Sequence, residues 1–481
     1  MQSIRDAVDK VEFDIFTENQ RDDIVQKALE VLSSIGISVR DDKVRSILRD
    51  NGAKVSDDIV YLPEYLVEES IESAPQLVKI FSREGEEAMN LTGENSFYGT
   101  GSDCPYILDH ETHERRKFKH QDEVDAMTLC ENLQNIDFVM SVGLMSESQK
   151  AADLYEFKTM VSNTKKPIIY TSQTPFNNRG ILDMAQIVAG NNQKLAEKPF
   201  LMHYVEPVCP LVFPKETSEK LQRTVKAGVP VVYMAGSVPG ATAPVTLAGA
   251  LIQTLAEDLF GLVVSQLTKK GAPMILGAGS TPMSMRTSIG MYAAPESELF
   301  SAARSELVNH LGLPVFSQAG CSDSKTTDMQ AAFEASISLT IQTLAGANLI
   351  HDIGYLESGL AGSLDMIAMG DEIISMVKRL VEGIRTSDDH LALDVVREVG
   401  PGGHFLNTDH TLKFFREHWE PSLTDRSNFE TWSKKSGKDF GERANQEVKK
   451  MLKKEPAKLE KESKNELDEA LEQQVKKIKD N

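Results

Sequence analysis

The 481-residue sequence predicts an α/β fold, a (β/α)8 TIM barrel with added N-terminal and C-terminal helical segments. Three observations predict it. Short apolar runs recur eight times between residues 97 and 357, helical patterns separate them, and five of the eight runs open with a proline. Continuous apolar runs alternating with helices mark a parallel sheet covered by helices. Proline suits the first strand position, where no ladder donor is lost. Eight such units over about 260 residues fit a closed barrel in number and length. An open doubly wound sheet is the rival fold, but it usually carries a glycine-rich phosphate loop after its first strand. No GxGxxG or GxxxxGK[ST] occurs here.

Residues 1–95 read as a helical segment with short strands. Val25 to Ile35 has helical apolar spacing and ends at Gly36. ISVR (37–40) and VYLP (60–63) read as brief strands, and two more fall between Leu77 and Leu91. The barrel is expected over 96–385. Its runs are FYGTG (97–101), IDFVMSVGLM (136–145), KPIIYTSQT (166–174), KPFLMHYVEP (198–207), VPVVYMAGS (229–237), APMILGAGS (272–280), LPVFSQAGCSDS (313–324) and ANLIHDIGYLE (347–357). Pro167, Pro199, Pro230, Pro273 and Pro314 stand at strand entrances. Residues 386–481 read as C-terminal helices, including HTLKFFREHW, and a charged tail expected to be a solvated helix or a frayed terminus.

Composition narrows the function. Hydrophobic residues make up 41% and charged residues 26%, enough to bury a core. The net charge of −20, from 72 acidic and 52 basic side chains, argues against nucleic acid and anionic membranes as partners. Such a large acidic chain is compatible with a homo-oligomer. Cys104, Cys130, Cys209 and Cys321 show no CxxC or ligand spacing, so a reducing cytoplasm is expected. The amino terminus, MQSIRDAVDKVEFDIF, lacks the apolar block of a signal peptide. No run approaches the roughly eighteen uncharged apolar residues of a membrane span.

Barrel enzymes place their sites at the carboxyl ends of the strands. The polar residues there are Tyr98, Thr100, Asp103, Ser141, Tyr170, Ser172, His203, Tyr204, Glu206, Ser237, Ser280, Thr281, Gln318, Ser322, Asp323, His351, Asp352, Tyr355 and Glu357. Glycines at many other strand ends would leave the mouth open to something bulky. His110-x-x-His113 reads as a polar hairpin tip rather than a zinc pair. No recognised spacing adds a third ligand to His203 and Glu206, so no metal is expected. Cys321 reads as a small buried thiol. His351 and Asp352 are adjacent, so one should face into the barrel and the other toward the helices. Arg286 has the fork that suits a carboxylate.

Three later blocks carry a family resemblance: GAGSTPMSMRTSIGMYAAPE (277–296), LPVFSQAGCSDSKTTDMQAAFEA (313–335) and GANLIHDIGYLESGLAGSLDMIAMGDEIISMVKR (346–379). They resemble the trimethylamine methyltransferase superfamily, over about residues 15 to 440. That resemblance implies a (β/α)8 barrel that methylates the cob(I)alamin of a separate corrinoid protein and holds no tight cofactor of its own. Such chemistry feeds methanogenesis or acetogenesis. The founding enzymes carry pyrrolysine at the mouth, whereas this chain has only the twenty standard residues. The departure assigns no catalytic residue here. It points to the branch that resembles glycine betaine:corrinoid methyltransferases, with proline betaine or carnitine as alternative substrates.

A quaternary ammonium leaves as a neutral amine, so the site must mainly orient it: a cage, a tail anchor and an open mouth. Tyr98, Tyr170, Tyr204 and Tyr355 are the cage candidates, Tyr98 and Tyr355 foremost. Glu206 or Asp103 would supply counter-charge, and Arg286 and His351 would hold a betaine carboxylate. A metal-dependent lyase or hydrolase using His203, Glu206 and Asp352 is one rival function, and a non-catalytic betaine-binding protein another.

Overall fold

The computed structural model describes residues 11, 13–93, 95–145 and 150–480. Residues 1–10, most of the stretch read above for a signal peptide, lie outside that range. Seven parallel strands form the barrel wall in the spatial order Phe97–Thr100, Leu349–Ile353, Val315–Gln318, Met274–Gly277, Val231–Tyr233, Leu201–Val205 and Ile168–Tyr170. The run at 136–145, expected to be a full strand, contributes parallel bridges instead, Gly99 with Phe138 and Val139 with Ile168. These join the first and third strands and fill the eighth place. The Thr100 hydroxyl explains the reduction: it accepts from the Met140 N–H at 2.8 Å and donates to its carbonyl at 2.9 Å, replacing ladder bonds.

A long helix follows each position: His120–Asn132, Ala152–Asn163, Pro175–Ala189 (with the short Asn192–Glu197 after it), Lys215–Ala227, Leu247–Thr268, Pro295–His310, Met329–Leu344 and Leu364–Val381. Inside the wall, Phe138, Met140, Ile169, Met202, Val232, Ile275, Phe316 and Leu349 form one buried cluster. The hairpin Val78–Phe81 and Glu87–Leu91 plugs the amino-terminal end, adding Val78, Ile80, Met89 and Leu91 to it. Burying each such side chain contributes roughly 1.5–3 kcal/mol. The plug closes that end of the barrel and leaves the carboxyl end for chemistry.

Leu247–Thr268 is apolar on nearly every side because it is covered twice. The barrel lies inside it, and Glu18–Glu30 and Glu64–Ser73 pack outside. It is long and apolar enough to cross a membrane, a case the run-by-run reading passed over because Glu257 and Asp258 interrupt it; most of it is buried within the protein. The charged tail also differs from expectation. Lys461–Asp480 is a docked helix along Ala152–Asn163 and Pro175–Ala189, with Leu467 and Leu471 buried. Its few apolar residues fall on one face, which a count of charges hides.

Candidate active site at the barrel mouth

Alternation along the strands sorts the candidates. Phe97, Met202, Tyr204, Val232, Phe316 and Leu349 join the interior cluster, so their neighbours face the helices. Tyr98 is one of those neighbours: its hydroxyl pairs with Thr343 Oγ1 at 3.0 Å, and Lys378 Nζ lies 5.1 Å from its ring centre. Tyr170 donates to Asn178 Oδ1 at 3.0 Å and stacks flat on His203, with ring centres 4.5 Å apart. The His203 nitrogens are both taken, Nε2 by Ser172 Oγ at 2.8 Å and Nδ1 by Thr224 Oγ1 at 2.7 Å. Burial holds this imidazole neutral. The expectation that Tyr98, Tyr170 and His203 line the mouth is therefore corrected, because standing near a strand end does not decide which face a side chain takes. His203 cannot share a metal with Glu206 and Asp352, and among the described residues no group of three or more His, Cys, Asp or Glu could hold one.

The last strand breaks its alternation where the site is built. Its pairing with the first strand shifts register between Ile350 and Ile353, and Asp352 sits at φ +75°. An L-residue reaches that region only at a cost of about 1–3 kcal/mol, and such positions cluster at functional sites. The kink brings His351 and Asp352 together, Nδ1 to Oδ1 at 2.7 Å, instead of sending one toward the helices as expected. The contact is too bent to be a hydrogen bond, so among the described residues both ring nitrogens of His351 are buried without a hydrogen-bond partner. The ring itself is fixed, stacked on Phe316 at 4.1 Å and 10°. Gly101 makes room for this arrangement, since a Cβ there would collide with Asp352 Oδ1 and the Tyr355 ring.

Asp103, Glu206, Tyr204, Tyr292 and Tyr355 complete the mouth. Asp103 and Glu206 have accessible surface although protein encloses them on most sides, as expected of side chains lining a crevice. Desolvation raises both carboxyls, and their neighbours raise them further: Asp352 acts on Asp103, and Asp103 on Glu206. Glu156 lies behind Asp103, its own carboxyl raised by burial and by Asp103. The Tyr204 hydroxyl lies against the Glu206 carboxylate and opposes its rise, and its ring tilts against Phe316. Tyr355 donates to the Ser102 carbonyl and packs with Cys104, Cys321 and Tyr292. Burial keeps the Cys321 thiol protonated, in accord with the small-buried-thiol reading.

Two further candidates part company. Gln318 pairs in register with His351 and donates to the Ser280 carbonyl at 3.3 Å, so it borders the mouth. Arg286 is exposed in the run 285–289 of the sixth loop, beside Met285 at 68% and Ile289 at 56% exposure, and makes no ion pair among the described residues. Its expected role as a carboxylate anchor is corrected on that ground: the loop carries it out to solvent. Tyr292 was missed because it stands far beyond its strand, in GMYAAPE. The signal that finds it is its position just before the helix Pro295–His310, on the face where every strand-to-helix loop gathers.

A buried clamp holds the strand ends in place. The Arg304 guanidinium donates to the carbonyls of Ala235 and Gly279, and Asp258 accepts from the Ala235 N–H. It ties together two neighbouring strand ends that flank the mouth.

These features define a (β/α)8-barrel enzyme whose carboxyl-end site is acidic and aromatic. The chain belongs to the trimethylamine methyltransferase (MTTB) family, whose family model matches residues 2–479. It is 32% identical to trimethylamine methyltransferase MttB of Desulfitobacterium hafniense (strain DSM 10664 / DCB-2), over 90% of this chain and 88% of that protein. It is 31% identical to the glycine betaine methyltransferase of D. hafniense (strain Y51), over 88% and 89%. Its fold is similar to the crystal structure of the Methanosarcina barkeri monomethylamine methyltransferase, with a TM-score of 0.54 at 10% identity, covering 93% of this chain and 90% of that one.

Proposed function

We propose that the protein transfers a methyl group from a small quaternary ammonium compound to the Co(I) centre of a separate corrinoid protein, releasing the tertiary amine. Glycine betaine, yielding dimethylglycine, is the reference substrate because one relative is named for it. The observation that carries the reading is the mouth itself. Asp103, Glu206 and Asp352 converge there with the rings of Tyr204, Tyr292 and Tyr355. Aromatic faces and carboxylates attract an ammonium that cannot donate hydrogen bonds, each face contributing about 0.5–2 kcal/mol when desolvated.

Cob(I)alamin, bound to its own protein, supplies the nucleophile. The C–N bond breaks with its electron pair going to nitrogen, and a Co–C bond forms. This chain orients the N-methyl group toward the mouth and shields the cation from water, a contribution of proximity and alignment. Since positive charge leaves the substrate during transfer, residues that only stabilise the cation lower KM more than they raise kcat. The protein holds no tight cofactor of its own on this reading, and its four free thiols suit the cytoplasm.

The test incubates purified protein with cob(I)alamin and glycine betaine, proline betaine, carnitine or trimethylamine, and follows methylcobalamin by absorbance. Methylation from any quaternary amine supports the reaction class. No reaction with any of them, even with a corrinoid protein supplied, overturns it.

A further inference from the structure

The proposal concerns the tail of the substrate and rests on the quaternary-amine reading above. A betaine carries a carboxylate a few bonds from its ammonium, and a site that accepts it must neutralise both ends. This mouth presents carboxylates throughout: Asp103, Glu206 and Asp352, with Glu156 behind Asp103. Among the described residues no Lys or Arg forms an ion pair with Asp103, Glu206 or Asp352; the ion pair found is His351 with Asp352. Lys220 acts on Glu206, and one of its three donors goes to the Ser172 carbonyl at 3.1 Å, so its charge is set against the Glu206 carboxylate. Arg286 stands in solvent. A second carboxylate placed among these groups meets like charge on several sides, and such juxtaposition discriminates strongly against a ligand.

The mouth does offer something to a neutral tail. His351 is 8% exposed, its ring is held by the Phe316 stack, its Nδ1 stands against Asp352 Oδ1 at 2.7 Å, and its Nε2 has no hydrogen-bond partner among the described residues. A buried polar group left without a partner is uncommon and costs stability, unless a ligand completes it. A hydroxyl does so, since it both donates and accepts. Gln318, next to His351 in register, adds an amide on the same side.

We propose that the site takes a monocationic quaternary ammonium whose tail is uncharged and carries a hydroxyl, bound by His351, in preference to a zwitterionic betaine. Choline is the probe for that class, tetramethylammonium the probe without a tail, and glycine betaine the zwitterion.

Calorimetry on the full chain compares the three at pH 7.5. The expected order is choline tightest, with glycine betaine at least tenfold weaker. His351→Phe, which keeps a ring on Phe316, should erase the advantage of choline over tetramethylammonium while leaving tetramethylammonium within about threefold. Arg286→Ala should change none of the three. Glycine betaine binding as tightly as choline, or losing tenfold on Arg286→Ala, overturns the tail assignment and leaves the methyltransferase reading standing. Absence of binding by all three, together with no methyl transfer to cob(I)alamin, overturns the quaternary-amine reading itself.

Discussion

Arg304 Nη2 lies 2.5 Å from Asp258 Oδ2, and both side chains are buried behind the ends of the fifth and sixth barrel strands. Burial pushes the Asp258 carboxyl up to about 6, with the Arg304 charge opposing the rise. The pair is a positioning device: it fixes the Ala235 and Gly279 carbonyls rather than touching substrate.

Removing one half of that pair should be costly. Arg304→Met leaves a buried carboxylate and two carbonyls without their donor, and is expected to lose about 3–5 kcal/mol. Urea unfolding measures it. The double variant Arg304→Met with Asp258→Leu should recover part of the loss, because no uncompensated charge remains. A double variant as unstable as the sum of two independent losses contradicts the pairing.

Glu298 gives a pH dependence with a definite sign. Burial raises its carboxyl to about 8, against the Gln342 amide 3.1 Å from Oε2, which lowers it. The folded state therefore prefers the protonated acid. Its stabilising contribution is complete below the ordinary value of 4.5 and is lost as pH rises through about 8. Within that window this one group can tilt stability by up to about 1.4 kcal/mol per pH unit. Glu298→Gln should flatten the dependence of unfolding free energy between pH 5 and 8, and an unchanged slope would falsify the assignment.

Glu123 is a stability liability of another kind. It is wholly buried on the helix His120–Asn132, neither oxygen has a hydrogen-bond partner among the described residues, and burial together with Glu156 raises its carboxyl well above the ordinary range. Glu123→Met, of similar volume, should raise stability by about 1–3 kcal/mol at pH 8 and by less at pH 5, where the acid is already protonated. Thermal unfolding at the two pH values checks both the gain and its direction.

How much of this was legible in the sequence depends on what each residue was asked to say. The barrel was, because its signal is periodic and repeats: proline-opened apolar runs followed by helices. The identity of the mouth was partly legible, since Asp103, Tyr204, Glu206, Gln318, His351 and Tyr355 do gather there. Tyr98, Tyr170 and His203 were misplaced because facing is a matter of parity, and parity needs the register that only the sheet supplies. The inward turn of Asp352 was invisible for the opposite reason. It breaks parity through a bulge and a left-handed backbone angle at a non-glycine residue. Arg286 looked like an anchor because its chemistry suits one, but loop direction carries no composition signal.

Facing can be tested by paired substitutions. Tyr292→Ala and Tyr204→Phe touch the mouth, the first removing a ring and the second the hydroxyl on Glu206. Tyr98→Phe and Tyr170→Phe remove hydroxyls on the helix side. The mouth variants should raise KM at least fivefold in the methyl-transfer assay. The helix-side variants should leave KM within about twofold while losing roughly 1 kcal/mol of stability, one hydrogen bond each. KM rising equally in both sets contradicts the two-faced assignment.

The raised carboxyls make ligand binding itself pH-dependent. Desolvation and mutual repulsion hold Asp103 and Glu206 above their ordinary values of 3.8 and 4.5. Asp352 and Glu156 face these groups with like charge, while Lys220, His351 and the Tyr204 hydroxyl oppose the rise of Glu206. A quaternary cation favours the ionised form, lowers both values and expels protons. Linkage then requires affinity to rise with pH above the ordinary carboxylate range, by at most about tenfold per pH unit for each proton released. Calorimetry of tetramethylammonium in buffers of different ionisation enthalpy counts those protons directly. A neutral isostere with carbon in place of nitrogen should bind without proton release, and Asp103→Asn should reduce the release for the cation. Equal proton release by cation and isostere would mean that desolvation, not charge, drives the titration.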